Sequence, residues 1–328
     1  MRTVTVFALL AVALVVSATA GILVGAVPIA PGDVLSALFG AEGTNGTIIR
    51  ELRLPRVLGA ALVGGALAAA GALLQGMLRN PLADPFVTGT SAGASLGAVV
   101  AIALGFEPAL VPLAAFVGAM AAITLVWRLA RLGGRTTVLT VLLAGVVLTS
   151  FAGALVTFVL VSSDRLALRL RAVLGWLQGG VSVINWSELA VASIVVAVGV
   201  IAALLLAPRI DAYAFGEETA AALGVDLDRT TAAVLATTAL LTGAAVAIAG
   251  LVGFVGLVIP HALRFLLGAT HRRLLVASVP AGAIALVLAD LGARTALAPA
   301  ELPVGVITGL VGAPFFLVLL VRSRREIV

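Results

Sequence analysis

The chain has 328 residues, of which 62% are hydrophobic and only 11% charged, and its mean hydropathy is +1.24. This composition excludes a soluble globular protein, which could not cover so much apolar surface, and the lack of cysteine excludes disulfides, thiol catalysis and thiolate metal sites. The formal net charge of +5 comes from arginines scattered over many loops, a pattern that does not indicate nucleic-acid binding.

Apolar stretches suited to crossing a bilayer recur along the whole chain, and about 20 helical residues span the hydrocarbon core. The first stretch imitates a signal peptide, with small residues at Ala18–Ala20, but its apolar run continues to about Ala30 and favours a retained transmembrane helix. The predicted spans lie near residues 4–26, 57–78, 88–105, 109–127, 137–161, 189–207, 231–251, 255–268, 274–289 and 303–321. We therefore predict an all-α polytopic membrane protein with about ten transmembrane helices.

The second span begins in the segment E-L-R-L-P-R-V-L-G-A, residues 51–60, which carries Arg53 and Arg56 around a Leu-Pro pair. Thirteen of the twenty arginines fall in one set of loops and seven in the other. Because cytoplasmic loops carry the excess of arginine, both termini are predicted to be cytoplasmic, and Arg53 and Arg56 to face outward. Arginine is disfavoured on the outer side, so these two residues need a specific role.

A turn at residues 79–90 joins the second and third spans on the predicted cytoplasmic side. Asn80 precedes Pro81 and Asp84 precedes Pro85, and both pairs favour non-helical backbone. A tight loop of this kind constricts a transport pathway or merely reverses the chain, and the residues alone leave both readings open.

The longest hydrophilic interruption is residues 207–229. Within it, Gly216–Gly224 is predicted to form a short helix, because Glu217 and Glu218 suit a first helical turn and Gly224 suits a helix end. A short helix held outside the membrane between two spans fits a lever that docks on a partner, and it fits an ordinary connector equally well.

Few residues suggest a source of energy or a metal site within the chain. No charged residue falls in the middle of a predicted span, and the nearest carboxylates, Asp84 and Glu301, lie beside prolines at span ends. The chain also lacks the G-x-x-x-x-G-K-[ST] phosphate loop. His261 and His271 are too few for a metal site and are predicted to be structural. An ion-coupled transporter and a non-transporting scaffold or receptor are the rival classes.

Seven segments in chain order carry a family resemblance. They are R-L-P-R at 53–56, N-P-L-A-D-P at 80–85, L-L-A-G-V at 142–146, G-E-E-T-A-A-A-L-G-V at 216–225, G-L-V-G-F-V-G-L-V-I-P-H-A-L-R at 250–264, A-D-L-G-A-R at 289–294 and E-L-P-V-G-V at 301–306. With these segments the chain resembles the FecCD family, the permease subunits of ABC importers for ferric siderophores, haem and cobalamin.

The resemblance implies a single transmembrane permease domain over residues 1–328, of the type II ABC importer architecture, with a cytoplasmic coupling segment at about 208–229 and no nucleotide-binding domain. It implies a dimer with a second permease, either a copy or a paralogue, two cytoplasmic ATPase subunits and an extracytoplasmic substrate-binding protein. The expected location is the plasma membrane of a bacterium, surrounded by lipid. No enzymatic activity, cofactor, metal site or nucleic-acid partner is expected in this subunit.

The resemblance also assigns candidate residues. The binding protein is expected to dock on Arg53, Arg56 and Arg294, and the cargo is expected to be an iron-siderophore, with haem or cobalamin as the alternatives. The remaining candidates are Gly216, Glu217, Glu218, Ala221, Leu223 and Gly224 for ATPase coupling and Asn80, Leu82, Thr136 and Thr137 for a cytoplasmic gate.

Overall fold

The structure, a computed structural model, describes residues 2–25, 29–38, 43–131, 137–162, 170, 173–181, 185–268 and 270–325. This part of the chain is helical, and its only β-type pairing is an isolated bridge between Leu297 and Ala300. Its main helices are α1 (Arg2–Leu23), α2 (Pro31–Leu38), α3 (Leu54–Met77), α4 (Thr90–Leu104), α5 (Val111–Arg131), α6 (Val138–Ser162), α7 (Trp186–Tyr213), α8 (Glu217–Ala222), α9 (Leu227–Ala249), α10 (Val255–Leu267), α11 (His271–Thr295) and α12 (Val304–Arg325).

Ten of these helices coincide with the ten predicted spans, which confirms the predicted fold class. Seven apolar stretches, in α1, α3, α5, α6, α7, α9 and α11, are long enough to cross a membrane, and shorter apolar helices follow at Thr90–Leu104, Val255–Leu267 and Val304–Val318. The shortness of α10 has a local cause. Phe254 before it and Gly268 after it both adopt positive φ, 69° and 79°, which ends helical geometry on both sides.

Helix α3 forms the centre of the bundle. It packs against α1, α7, α9, α10 and α11, and nearly all its residues beyond Val57 are buried. Pro55 lies in its first turn, where the missing N–H costs nothing, as the sequence predicts for a residue that begins the second span. The helix is extended upstream by a π-helical segment at Ile48–Arg53, so the arginines of the R-L-P-R motif stand on continuous helical backbone.

Glycines allow the helices around α3 to approach to backbone contact. A Cβ atom on Gly64 would overlap the carbonyl group of Gly282 in α11, and one on Gly71 would overlap Gly256 in α10. Gly93 and Gly97 of α4 likewise lie against α5 of the same chain. These close crossings are typical of membrane helices, where small residues replace the hydrophobic effect as the basis of helix association.

We expect Gly282→Ala to destabilise the protein by about 1–3 kcal/mol, because the new methyl group meets a backbone oxygen of α3 that cannot rotate away. Thermal unfolding of the detergent-solubilised protein measures the effect. Gly153→Ala in α6 is the matched control, since nothing lies within 4 Å of the added methyl group. Equal unfolding temperatures for the two variants would contradict the proposed role of this crossing.

Two helices end six residues later than the sequence predicts. Helix α7 continues through Pro208 to Tyr213, six residues beyond the predicted end at residue 207. Helix α11 continues past the predicted end at residue 289 to Thr295, so that Asp290 lies inside the helix rather than at its boundary. Asp290 and Arg294 are four residues apart and pair with each other, which explains how two charged residues continue an apolar helix.

Candidate functional sites at the two ends of the bundle

The predicted site residues gather at opposite ends of the helix bundle. The end of α1, the start of α3 and the end of α11 bring Arg53, Arg56 and Arg294 together, and we call this the arginine end. The loop of residues 79–89, the end of α7 and helix α8 lie at the other end of α3, which we call the loop end.

At the arginine end, Arg53 and Arg294 complete the C-terminus of α1. Arg53 is 7% exposed, and its Nη1 donates to the carbonyls of Ile22 and Leu23 at 2.6 and 2.9 Å. Arg294 donates from Nη2 to Gly21 at 3.1 Å and from Nη1 to Val24 at 3.3 Å. The last carbonyls of a helix have no partner within the helix and carry its partial negative charge. Two guanidinium groups therefore satisfy and neutralise the end of α1.

Arg56 belongs to a separate ion-pair cluster that links α3 with α11. Its Nε lies 3.0 Å from Oδ1 of Asp290, whose Oδ2 lies 3.0 Å from Nε of Arg294. The Nη2 of Arg56 pairs with Oε2 of Glu301 at 2.9 Å. Asp290 is 1% exposed and Arg294 7%, whereas Glu301 is 54% exposed. Two carboxylates thus balance two guanidinium groups, and one carboxylate is buried while the other reaches solvent.

The sequence analysis missed Asp290 although it stands in the quoted segment A-D-L-G-A-R. The predicted end of the span at residue 289 placed it outside the helix, so it was not weighed as a charge within a helix. The spacing of four residues between Asp290 and Arg294 is the signal that could have found it, because such residues meet on one helix face.

A cleft of about 510 Å³ opens beside the exposed side of this cluster. Its walls include Arg56 and Glu301, the indole-bearing residue Trp176, and the backbone of Gly180 and Gly250. Backbone contacts hold this wall: the N–H of Gly180 donates to the carbonyl of Ala249 at 2.8 Å. The cleft therefore combines a charged pair with apolar surface at one end of the bundle.

At the loop end, residues 79–89 form a rigid turn. The side-chain oxygen of Asn80 accepts a hydrogen bond from the N–H of Leu82 at 2.9 Å, and Oδ1 of Asp84 accepts one from Phe86 at 2.8 Å. The hydroxyl of Thr88 donates to the carbonyl of Pro85 at 2.7 Å. Burial raises the pKa of Asp84 above its ordinary value, and the hydrogen bond from Phe86 partly opposes that shift. Side chains of this loop thus cap its own backbone.

The candidate gate residues share the loop end but do not form one cluster among the described residues. Leu82 is 36% exposed on the turn, and Thr137 lies just before α6, where it caps that helix by exchanging hydrogen bonds with Thr140. The loop reaches α6 further along, where the backbone of Val87 contacts Gly145. Thr136 lies outside the described residues.

The predicted short helix is present as α8. Gly216 precedes it at φ 101° and Gly224 follows at φ 85°, conformations that glycine adopts without strain. Ala220 is the buried anchor of this helix. Glu218 and Ala221 are exposed, as are the large apolar side chains of its flanks, Leu223 at 67% and Phe215 at 74%.

Two contacts fasten the helices that carry α8. The hydroxyl of Tyr213, at the end of α7, donates to the carbonyl of Leu227 in α9 at 3.1 Å. Asp211 accepts the backbone N–H of His271 at 2.9 Å and lies 2.7 Å from its Nδ1. His271 therefore joins α11 to α7, while His261 packs its ring on Phe265 in a T-shaped arrangement. The contact of His271 with Asp211 and that of His261 with Phe265 are consistent with the structural role that the sequence predicts for the two histidines.

In the described part of the chain, ten apolar helices with a charged cluster at one end and a projecting short helix at the other form a polytopic membrane protein. The model of the FecCD transport family matches residues 9–322, and the chain belongs to this family of ABC transporter permeases. The chain is 42% identical to the cobalamin import system permease protein BtuC of Halobacterium salinarum, over 99% of this chain and 89% of that protein.

Another relative and a solved structure agree with this assignment. The iron(3+)-hydroxamate import system permease protein FhuB of Bacillus subtilis is 37% identical, over 92% of this chain and 79% of that protein. A structure of an ABC transporter assigned to the metal-chelate type, in an inward-facing conformation, superimposes with a TM-score of 0.84 at 30% identity, covering 97% of this chain and 99% of that chain.

Proposed function

We propose that this permease imports a large metal chelate in an ATP-driven complex with a second permease subunit, two ATPase subunits and an extracytoplasmic binding protein. The observation that carries the proposal is α8, an acidic and apolar surface held on α7 and α9 in a chain that matches a permease family over nearly its full length. In this proposal the whole chain, residues 1–328, is one permease domain without its own ATPase.

The loop end is proposed to face the cytoplasm in a bacterial plasma membrane, with both termini on that side. The excess of arginine in the loops at this end supports the orientation. An ATPase subunit would dock on Gly216–Gly224, with Leu223 and Ala221 in an apolar contact and Glu217 and Glu218 around it. At the end of α7, next to α8, Tyr213 contacts α9 and Asp211 contacts α11. A movement of α8 would therefore be passed through α7 to helices that reach the arginine end.

The arginine end is proposed to receive the binding protein. Arg53 and Arg294 hold the end of α1 and are mostly buried, so they would contribute positive potential and shape. Arg56 is the member of the three whose guanidinium reaches an exposed carboxylate and a cleft, so it would make the closest docking contact. Electrostatic complementarity at such a rim mainly steers and orients association.

The turn with Asn80 and Leu82 is proposed to close the pathway on the cytoplasmic side, together with Thr136 and Thr137. The proposed gate is supported by the capped backbone of the turn, which keeps the Leu82 side chain partly exposed instead of packed in the core. Closure by a rigid turn requires movement of the helices that carry it, and α3 and α4 are those helices.

The cargo is proposed to be an iron-siderophore, with haem or cobalamin as the alternatives of the same family. The relatives named above bear the names of cobalamin and iron-hydroxamate importers, and both cargos are bulky metal chelates. No residue among those described distinguishes them.

Asp290 does not favour an ion-coupled transporter, although a buried carboxylate within a helix is the usual mark of that class. Both of its oxygens are paired with guanidinium groups, of Arg56 and Arg294, so neither is free to bind a proton or a cation.

Uptake by proteoliposomes tests the proposed function. The tagged permease is purified from its host with its associated proteins, reconstituted, and offered radiolabelled ferric siderophores, haem and cobalamin with and without ATP on the ATPase side. We expect uptake of one chelate that requires both ATP and the binding protein. Uptake that persists without ATP and stops when a protonophore is added would overturn the proposal in favour of ion coupling.

A further inference from the structure

The two carboxylates that hold Arg56 differ in accessibility. Asp290 pairs with the Nε side of the guanidinium and is 1% exposed, and it also pairs with Arg294. Glu301 pairs with the Nη side, with its Oε1 3.4 Å from Nη1 and its Oε2 2.9 Å from Nη2, and is 54% exposed. Asp290 therefore fixes the orientation of the guanidinium, while Glu301 covers the edge that faces the cleft.

We propose that Glu301 is an internal competitor for the docking protein: it occupies the Nη edge of Arg56 until an acidic side chain of that protein takes its place. The proposal rests on the proposed docking of a binding protein at the arginine end. A carboxylate fits this edge because a guanidinium presents two parallel N–H donors that match two carboxylate oxygens.

The cleft provides the space for this exchange. Its volume of about 510 Å³ lies directly against Arg56 and Glu301, and its other walls are Trp176, backbone glycines and apolar residues such as Val181. Within the described part of the chain these walls add no second cation, so an incoming carboxylate would be directed to Arg56. Glu301, which is more than half exposed, can rotate into solvent without leaving a buried charge unpaired.

The charge balance favours an acidic side chain over a basic one. Arg56 presents one guanidinium group to the cleft and Glu301 one carboxylate. An arriving carboxylate that displaces Glu301 keeps Arg56 paired, whereas an arriving ammonium group could pair only with Glu301 and would lie beside the positive charge of Arg56.

The structure thus gives an expectation opposite to that for an ordinary docking residue: removing the charge of Glu301 should strengthen association. Exposed ion pairs contribute about 0.2–1 kcal/mol, which corresponds to a gain in affinity of about 1.4- to fivefold for Glu301→Gln. When no partner is bound, the same substitution should leave the Nη atoms of Arg56 more accessible to an arginine-modifying reagent.

The test immobilises the permease on a surface and measures its affinity for the binding protein that is recovered with it in the purification described above. We expect Glu301→Gln to tighten binding about 1.4- to fivefold, and to have no such effect when Arg56→Gln is also present. Glu107→Gln is the matched control, since it removes an exposed negative charge elsewhere on the same predicted side of the membrane. Affinity that is unchanged or weaker in Glu301→Gln would overturn the proposal.

A second measurement needs no partner. Phenylglyoxal reacts with the Nη atoms of arginine, so Arg56 should be labelled faster in Glu301→Gln than in the wild type, as read from the mass of its peptide. Equal labelling would show that Glu301 does not cover this edge. If the wild type binds no protein at all while it still transports, the proposed docking itself fails, which is a different result from a docked complex that ignores Glu301.

Discussion

Replacing Asp290 with asparagine is expected to lower the free energy of unfolding by about 3–5 kcal/mol, the largest stability effect we predict for a single substitution. The carboxylate is 1% exposed and serves both Arg56 and Arg294, so its neutralisation leaves two guanidinium groups without their shared partner. The loss arises mainly from the uncompensated charges that remain rather than from the contacts removed. Thermal and denaturant unfolding of the detergent-solubilised permease measures it.

The control for this prediction lies in the same cluster. Glu301→Gln removes the exposed carboxylate of Arg56 and should cost no more than about 1 kcal/mol, because solvent screens that pair. The double variant Asp290→Asn with Arg294→Gln should recover part of the loss, since one stranded charge is then gone. A loss for Asp290→Asn as small as that for Glu301→Gln would show that the cluster does not hold α3 to α11.

Reversal of Glu217 and Glu218 to arginine is expected to reduce ATP-driven uptake about tenfold or more, which is the effect of losing a dominant part of an interface. The two carboxylates lie in the first turn of α8, beside the exposed Leu223 that we propose as the apolar contact for the ATPase. Reversal removes a favourable interaction with the helix dipole and places positive charge on the docking surface. Uptake and the recovery of ATPase with the purified permease are the two measurements.

Asp228→Arg separates docking from a general charge effect. Asp228 is also an exposed acid in a first helical turn at the loop end, but it belongs to α9 instead of α8. It should leave the recovery of ATPase close to that of the wild type, and the double reversal should unfold at nearly the wild-type temperature. Normal uptake by the double reversal would rule out α8 as the coupling helix.

These two predictions concern opposite ends of one connected structure. Helix α11 begins at His271, which is tied to Asp211 near α8, and it ends beside Asp290 and Arg294 in the ion-pair cluster. Its middle contacts α3 through Gly282 and Gly64 at backbone distance. A helix fixed at its start, middle and end moves as a unit, so it is the part of the fold best placed to carry a movement from α8 to the arginine end.

Several features of the fold were predictable because they depend on local chemistry. The ten spans follow from apolar runs whose length is set by the membrane, and α8 follows from its flanking glycines and its acidic first turn. Span ends were less predictable. Pro208 and Asp290 both look like boundaries in the sequence, yet α7 continues through Pro208. Helix α11 continues through Asp290 because Arg56 and Arg294 pair with its carboxylate.

The candidate sites were likewise predictable only in part. The motifs pointed to Arg53, Arg56 and Arg294 as a group, and the structure brings the three together. Their different surroundings were not predictable, because the partners of Arg53 are carbonyls some thirty residues away in α1 and the partners of Arg56 lie more than 230 residues away in the chain. In the sequence Glu301 is an acidic residue at the end of a span, and its pairing with Arg56 is visible only in the structure.

The sequence by itself determined that this protein is an all-helical membrane protein with a short helix between its sixth and seventh spans, because hydrophobic length, loop charge and turn chemistry act within a few residues of chain. The motifs that it shares with the FecCD family identified it as a permease. Only the tertiary structure decided which arginines hold the end of α1 and which one lies at the cleft. That distinction depends on burial and on a shared counter-charge, Asp290, and both arise only when α1, α3 and α11 meet.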